Sequence, residues 1–391
     1  MKKTGKRAMA MVIAVSMILP LAACGSGGGA GGGGGAGNPG TSAEAGGADA
    51  SKEASAASGG GTGTDSVDHT QGESFKIRFA TNSSAGDVAG EGISQTGKGM
   101  IFFCREIEER SGGRITTQIF TDGQLASSTQ EYIGGAQNGA YEMFMLNCGS
   151  WADYTPAYAG LNIPYLYMDY EDAYAVLDSG LRQEWDARAQ ADTQCVPLAH
   201  LDIGFRQLTA NKEVHSPDDL KGIKIRTMVD PIQMACWETF GASVTPVPYA
   251  ELYTALQQKL VDAQENPPSN IVSSKIYEMQ SYCMKTNHNF TTTIMAASPV
   301  FWNTLSAEDQ EFIRELWKET ELYVRSLTGD LSDGFFEEMQ AGGTTVVELS
   351  EEELKVFQEA AKSVWTQVEE QMGSESYQKL IDFVMEYQSK K

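Results

Sequence analysis

Between Gly204 and Pro267 the chain reads GFRQLTANKEVHSPDDLKGIKIRTMVDPIQMACWETFGASVTPVPYAELYTALQQKLVDAQENP. Short runs in which apolar and polar residues alternate precede Arg206 and Arg226, and such runs predict β-strands. Ligands of α/β sheets bind beyond the carboxyl ends of strands. A guanidinium there can hold a carboxylate through two parallel charge-assisted hydrogen bonds. The segment, which Asn266 and Pro267 close, therefore predicts a site for a small organic carboxylate.

Each side chain of interest in this segment also has a structural alternative. Arg226 can form a salt bridge with one of many acidic residues, and Arg206 can orient Arg226 or form an ion pair between parts of the fold. Asn266 can cap a helix that follows Glu265, and Tyr249 can pack in a core. These alternatives stand beside the ligand-binding hypothesis at this point.

The amino terminus has the pattern of an export signal. Basic residues precede an apolar run of 14 residues, Ala8–Leu21, which is shorter than the roughly 20 apolar residues that span a bilayer. This pattern predicts a signal peptide over residues 1–23. The sequence Leu21–Cys24 resembles the lipobox of bacterial lipoproteins, which implies cleavage before Cys24 and lipid attachment to its sulfur. We therefore expect an extracytoplasmic protein anchored to the cell membrane.

Residues 24–74 are dominated by Gly, Ala, Ser and Thr. Such a composition buries too little apolar surface to offset the entropy of ordering, so it predicts a disordered tether. A flexible chain of this length has a reach of roughly 40 Å.

The rest of the chain, residues 75–391, is too long for one typical core, which predicts two lobes. The net charge of −23 argues against a nucleic-acid partner, because binding phosphates needs a basic face. Apart from Cys24 there are five widely spaced cysteines, which leaves one or two disulfides open, although Cys104 and Cys236 lie in apolar helical patterns typical of core thiols. Neither the cysteines nor the four histidines have metal-site spacing, so we predict no metal and no cofactor.

Strand and helix patterns alternate in the first part of this region. Strands are predicted over Phe75–Phe79, Arg114–Phe120 and Glu142–Asn147, with helical patterns between them. This alternation favours a largely parallel, helix-covered sheet. Asn82 and Asn147 lie in loops after strands and are predicted ligand contacts, with ordinary turns as the alternative.

Several motifs occur together in a defined order. They are LKGIKIR at 220–226, PYAELYTALQQKLVDAQENP at 248–267 and KIYEMQSYCMKTNHNF at 275–290, with GQL at 123–125 and IPYL at 163–166. In this combination the chain resembles the DctP-type solute receptors of tripartite ATP-independent periplasmic (TRAP) transporters. The resemblance covers residues 75–370.

The resemblance implies a two-lobed α/β fold of the periplasmic-binding-protein type, with a hinge between the lobes and a long helix, here Ser306–Gly342, that crosses both. It implies a first lobe over residues 75–203 with part of 292–331, and a second over 204–291 with part of 332–370. Residues 371–391 would form a carboxy-terminal helical tail.

The resemblance also assigns roles to residues. It implies that Arg226 holds the ligand carboxylate, that Arg206 and Asn266 assist, and that Tyr249 lines the pocket. Asn147 falls where sialic-acid receptors of this type have a glutamate, which argues against that substrate.

The implied function is a non-catalytic receptor that binds a small organic acid and delivers it to the TRAP permease subunits in the membrane. One alternative is a secreted enzyme with Glu265 or Glu251 as acid or base, although no nucleophile motif accompanies them. Another is a sensor subunit that presents the ligand to a signalling partner. Dicarboxylates, keto acids, sugar acids and aromatic acids are all compatible with the same arginine.

Overall fold

The computed structural model describes residues 68–391. The predicted signal peptide, the predicted lipidation site at Cys24 and residues 24–67 of the predicted tether lie outside the described residues. Within the described range, none of the helices has the length and apolar character needed to cross a bilayer.

The strands of the described region belong to two sheets. They are β1 (Phe75–Ala80), β2 (Ile115–Phe120), β3 (Met143–Asn147), β4 (Val196–Phe205), β5 (Gln207–Ala210), β6 (Lys224–Thr227), β7 (Ser243–Pro246), β8 (Ala263–Asn266), β9 (Tyr282–Lys285), β10 (Phe290–Ala297) and β11 (Thr345–Glu348).

The helices cover the sheets and connect them. They are α1 (Gln95–Arg110), α2 (Thr129–Gln137), α3 (Tyr170–Leu177), α4 (Gly180–Thr193), α5 (Pro231–Thr239), α6 (Tyr249–Gln257), α7 (Pro268–Ser273), α8 (Pro299–Trp302), α9 (Ala307–Ala341), α10 (Glu351–Ala361), α11 (Trp365–Met372) and α12 (Ser374–Gln388).

The first lobe is built on a five-stranded sheet of order β2-β1-β3-β10-β4. Strand β1 alternates, so Ile77 and Phe79 are fully buried while Lys76 is exposed. Strands β4 and β10 are buried at every residue, which fits their long, mostly uncharged sequences. The second lobe is built on a six-stranded sheet of order β11-β9-β5-β8-β6-β7.

The sheets are largely parallel, as the sequence predicts for the first lobe, but each contains one strand that runs against the others. Strand β10 is antiparallel to β3 and β4, and β5 is antiparallel to β8 and β9. The chain passes directly from β4 into β5 and from β9 to β10, so these two strands arrive from the opposite lobe. A strand that enters a sheet from its carboxyl edge must run in the reverse direction.

Helix α9 joins the two lobes, as predicted. Its 35 residues begin after Ser306, whose side chain accepts a hydrogen bond from the Asp309 backbone. Trp317 and its neighbours pack in a hydrophobic cluster with β1 and α1, whereas Phe335 and Met339 pack in a cluster of the second lobe. The apolar face of α9 therefore packs in the hydrophobic cores of both lobes.

The end of helix α6 is set by the backbone conformation of one residue. Helix α6 ends at Gln257, because Lys259 has a φ of 57° and leaves the helical conformation. The cysteines of the described region are all free. Cys236 is buried, as predicted for a core thiol, whereas Cys104 is only half-buried.

Candidate functional site

A cavity of about 290 Å³ lies between the lobes, where strand ends of both sheets meet. All the residues that the sequence predicts as ligand contacts line it. They are Asn82 after β1, Asn147 at the end of β3, Arg206 between β4 and β5, Arg226 on β6, Tyr249 at the start of α6 and Asn266 at the end of β8. The volume is near the lower end of the range for small-molecule sites, ~300 Å³.

Arg226 is 2% exposed and is held by its Nε, which donates to the Val247 carbonyl at 2.9 Å. Within residues 68–391 it forms no ion pair, and its two Nη groups make no hydrogen bond. Burial lowers the pKa of its guanidinium to about 10, a shift that Glu265 partly offsets and Arg206 reinforces. The group therefore stays charged at neutral pH and has donors left for a ligand.

Arg206, in contrast, is already paired. Its Nε donates to Glu265 Oε2, and its Nη2 donates to Glu265 Oε1 at 3.0 Å and to Asn266 Oδ1 at 3.1 Å. His288 Nε2 lies 3.0 Å from the same carboxylate. Burial opposes ionisation of Glu265, but Arg206 and His288 outweigh it and hold its pKa at about 2. The charge of Arg206 is thus compensated inside the protein.

Asn266 links this ion pair to its surroundings. Besides accepting from Arg206, it donates through Nδ2 to Gln264 Oε1 at 2.5 Å. It is not a helix cap, because Pro267 precedes α7 and that helix has no side-chain cap. Asn266 therefore supports Arg206 at the cavity wall.

Tyr249 is fixed by its hydroxyl group, which lies 2.7 Å from Ser274 Oγ and 3.2 Å from the Asn270 carbonyl oxygen. These contacts leave one side of the residue on the cavity. Tyr249 is half-buried: it lines the cavity and also packs against a hydrophobic cluster of the second lobe.

The two asparagines of the first lobe differ. Asn147 donates to Thr291 Oγ1 at 2.9 Å and accepts from the Gly149 backbone at 3.0 Å, which starts a short 3₁₀ helix. The half-buried side chain of Asn82 makes no hydrogen bond within the described residues and lines the cavity, with its amide oxygen and its amide nitrogen both available.

Sequence reasoning missed two carboxylates of the cavity lining, Asp87 and Asp153. Asp87 is 4% exposed and accepts from Ser94 through both oxygens, at 2.7 Å from the backbone nitrogen and 2.8 Å from Oγ. Burial raises the pKa of Asp87 against these hydrogen bonds. The Gly- and Ser-rich segment that contains Asp87 has no periodicity, so only the preceding strand marks it as a site segment.

A family model matches residues 86–371, and its description is bacterial extracellular solute-binding protein, family 7 (DctP). The chain belongs to this family. A solute-binding protein of Verminephrobacter eiseniae is 32% identical over 289 residues, which are 73% of this chain and 85% of that protein. The 2,3-diketo-L-gulonate-binding periplasmic protein YiaO of Escherichia coli is 30% identical over 242 residues, 62% of this chain and 73% of YiaO.

Solved structures agree with this assignment. A TRAP periplasmic solute-binding protein from Ochrobactrum anthropi is 32% identical with a TM-score of 0.71, and the match covers 82% of this chain and 97% of that one. In that crystal structure the protein's own carboxy terminus occupies the ligand-binding pocket. The predicted family and two-lobed fold are therefore confirmed.

Membership in the DctP family makes the protein an extracytoplasmic solute receptor of the TRAP type and not an enzyme. The site agrees with that conclusion. Glu265 is held ionised by Arg206, and Glu251 is exposed on α6 outside the cavity lining. Glu265 is thus committed to an ion pair and Glu251 lies outside the cavity, so neither is placed as the acid or base that the enzyme alternative requires.

Proposed function

We propose that this receptor binds a small organic carboxylate in the cavity between its lobes and delivers it to a TRAP-type permease. The observation that carries the proposal is the state of Arg226, a buried guanidinium on the cavity wall without an acidic partner among residues 68–391. A buried charge is costly unless it is paired. A ligand carboxylate supplies that partner and matches the planar fork of donors.

The other predicted contacts have supporting roles in this proposal. Arg206 and Asn266, which hydrogen-bond each other, shape the wall beside Arg226. Asn82 supplies an amide to the ligand, and Tyr249 and Asn147 close the two sides. YiaO, which is named for binding 2,3-diketo-L-gulonate, is a relative with an acidic sugar-derived ligand.

The proposal includes lipid attachment at Cys24 and a tether that begins there, for which the amino-terminal sequence is the support. The tether is predicted to extend to residue 74, but the carbonyl groups of His69 and Glu73 accept hydrogen bonds from Arg114, so its last residues are held on the first lobe. A lipid anchor would keep the receptor beside the permease, and the tether would let the lobes reach solution. Mass spectrometry of the mature protein tests this part. A first residue other than Cys24, or Cys24 without lipid, would refute it.

Calorimetry on the full chain with a panel of acids tests the function itself. The panel contains aldonates, dicarboxylates, keto acids and aromatic acids, each beside its neutral amide. We expect tight one-to-one binding of at least one acid, recovery of that acid unchanged and no binding of its amide. Turnover of the acid, or equal binding of acid and amide, would overturn the proposal.

A further inference from the structure

The cavity between the lobes contains an unusual balance of charges. Among residues 68–391 the cations that line it are Arg206 and Arg226, and the anions that line it are Asp87 and Asp153. Glu265, directly behind the wall, already compensates Arg206. One cation, Arg226, is thus left to attract ligand charge, in a lining that also carries two carboxylates.

From this balance we infer that the cavity selects acids with a single carboxylate and several hydroxyl groups, such as aldonates, and rejects dicarboxylates. This inference rests on the proposed function, because it assumes that Arg226 holds the first carboxylate. It adds a prediction about which chemical groups the ligand carries beyond that first carboxylate.

A second carboxylate would have no partner in the cavity. A short dicarboxylate held by Arg226 would place its other end among Asp87, Asp153 and neutral side chains. Like charges in a desolvated site repel strongly, and an unpaired buried carboxylate loses its hydration without replacement. Lys275 is not in the lining of this cavity: it lines a neighbouring cavity of about 350 Å³, which shares Asn82, Ser84, Tyr249 and Ser273 with the one that contains Arg226.

Hydroxyl groups, in contrast, fit the rest of the lining. Asp87 uses two hydrogen bonds to Ser94, whereas a carboxylate has about four acceptor positions, so it can accept from a ligand hydroxyl. Asn82, whose side-chain amide makes no hydrogen bond in the described region, also lines the cavity. A hydroxyl both donates and accepts, so it can satisfy all of these groups.

The same lining argues against an unsubstituted aliphatic acid. Such a ligand would remove water from Asp87 and Asn82 and would replace none of its hydrogen bonds. Sites built to hydrogen-bond a ligand hydroxyl reject analogues that lack it by large factors, up to roughly 10⁴-fold. Hydroxylation and single charge are therefore two independent requirements of one cavity.

Matched pairs of acids test the charge requirement by calorimetry on the full chain. D-Gluconate and D-glucarate, D-galactonate and galactarate, and D-erythronate and meso-tartrate each differ only in the terminal carbon, which is an alcohol in the first member and a carboxylate in the second. We expect the monoacid of the best-binding pair to bind at least about a hundredfold more tightly than its diacid. Hexanoate and butyrate, which lack the hydroxyls, should bind far more weakly than gluconate and erythronate.

The outcomes separate this inference from the proposed function. Equal or tighter binding of the diacids, or tight binding of a keto, aromatic or aliphatic acid without binding of any aldonate, overturns the inference and leaves the proposed function intact. Failure of every acid to bind overturns the proposed function and the inference with it.

Asp87→Asn tests the residue that carries the argument. Asparagine has nearly the same shape and retains one acceptor oxygen for Ser94, but it lacks the negative charge. The ratio of monoacid to diacid affinity should fall about tenfold or more, because one repulsive charge is gone. A purely structural role of Asp87 would weaken both members of a pair equally and leave the ratio unchanged, which would overturn the assignment.

Asp122→Asn is the matched control. Asp122 accepts from the Ala85 backbone at 3.1 Å and lines the neighbouring cavity, not the one that contains Arg226. Its substitution should leave the ratio unchanged. Thermal melting of both variants checks that each is folded before the titrations are compared.

Discussion

Arg226 and Arg206 show how two similar side chains acquire different roles from their neighbours. Both are almost completely buried on the wall of one cavity. Glu265 pairs with Arg206 and fixes it as part of the protein, whereas the Nη groups of Arg226 have no hydrogen bond within residues 68–391. The proposed carboxylate therefore meets one cation, Arg226, whose charge no acidic side chain of residues 68–391 pairs with.

Arg226→Ala should lower the affinity for the best-binding acid about a hundredfold or more, because removing one member of a buried ion pair costs roughly 3–5 kcal/mol. Arg226→Lys keeps the charge but loses the planar fork, so it should recover only part of the affinity. Calorimetry gives both values. Arg188→Ala, at an exposed arginine that pairs with Asp192, is the control and should bind normally. Wild-type affinity in Arg226→Ala would remove the assigned role.

Glu265→Gln should lower the free energy of unfolding by about 3–5 kcal/mol, because it leaves the buried Arg206 without a compensating charge. Denaturation in urea measures this change. Glu251→Gln, at an exposed position on α6, should change the free energy of unfolding little. Equal stability of the two variants would contradict a buried ion pair.

The pH dependence of stability gives a second measure of Glu265. Its pKa in the folded protein is about 2, below the ordinary value of 4.5. The stability that it contributes is therefore complete above about pH 4.5 and is lost as the pH falls towards 2. Urea denaturation across this window should show a steeper loss in the wild-type protein than in Glu265→Gln, which has no carboxylate to protonate. Parallel profiles would show that the carboxylate is not held ionised.

At the scale of elements, helix α5 begins with a buried cap. Asp230 accepts from the Ile232 backbone at 2.8 Å through Oδ1, while its Oδ2 is buried without a partner in the described residues. Burial raises the pKa of Asp230 to about 7, although the backbone hydrogen bonds of the cap oppose the shift. Asp230 thus accepts the hydrogen bonds of the cap, but burial makes its ionised form unfavourable.

Asp230→Asn should keep the cap and remove this charge. A carboxyl group with a raised pKa in the folded state stabilises the fold less as the pH rises from about 4 to about 7, because the unfolded chain ionises in this range while the folded protein keeps the proton. The stability of the variant relative to the wild-type protein should therefore increase across this window. Urea denaturation at several pH values measures it, and a constant difference would refute the raised pKa.

The sequence predicts most elements near the site, for particular physical reasons. The strand before Arg226 and the cap at Ser306 depend on local patterns, which a single sequence displays. The reversed direction of β5 and β10 does not appear in any local pattern, because a strand of either direction has the same alternation. Topology across the two lobes sets that direction.

The partners of the site residues are the part that sequence reasoning left open. It offered a salt bridge as the alternative for Arg226, but the buried acid lies against Arg206, which is adjacent to β5 and therefore opposite β8. Asp87 went unnoticed because its loop has no periodicity and because its position on the cavity depends on α1. Which arginine pairs with the buried acid, and which loop residue reaches the cavity, depend on distances between segments that are far apart in the chain.

At the scale of the whole molecule, the two lobes are connected by the β4–β5 and β9–β10 crossings and by helix α9. They also touch directly, since a Cβ placed on Gly149 of the first lobe would lie 2.2 Å from Asp230 Oδ2 of the second. Glycine at this position permits the close approach of the lobes around the cavity.

Gly149→Ala should therefore disfavour this arrangement and weaken ligand affinity without removing a residue of the cavity lining. Calorimetry measures the affinity, and solution scattering should give a larger radius for the variant than for the wild-type protein at saturating ligand. Gly134→Ala is the control, because a Cβ there meets no atom within 4 Å. An unchanged affinity in Gly149→Ala would show that the contact has no role in binding.

A crystal structure of the full receptor with its best-binding acid examines the role of Arg226 most directly. We expect the ligand carboxylate to accept two hydrogen bonds from the Arg226 guanidinium, with Arg206 still paired to Glu265. A carboxylate bound elsewhere, with Arg226 paired to an acidic side chain of the protein, would refute the proposed mode of binding.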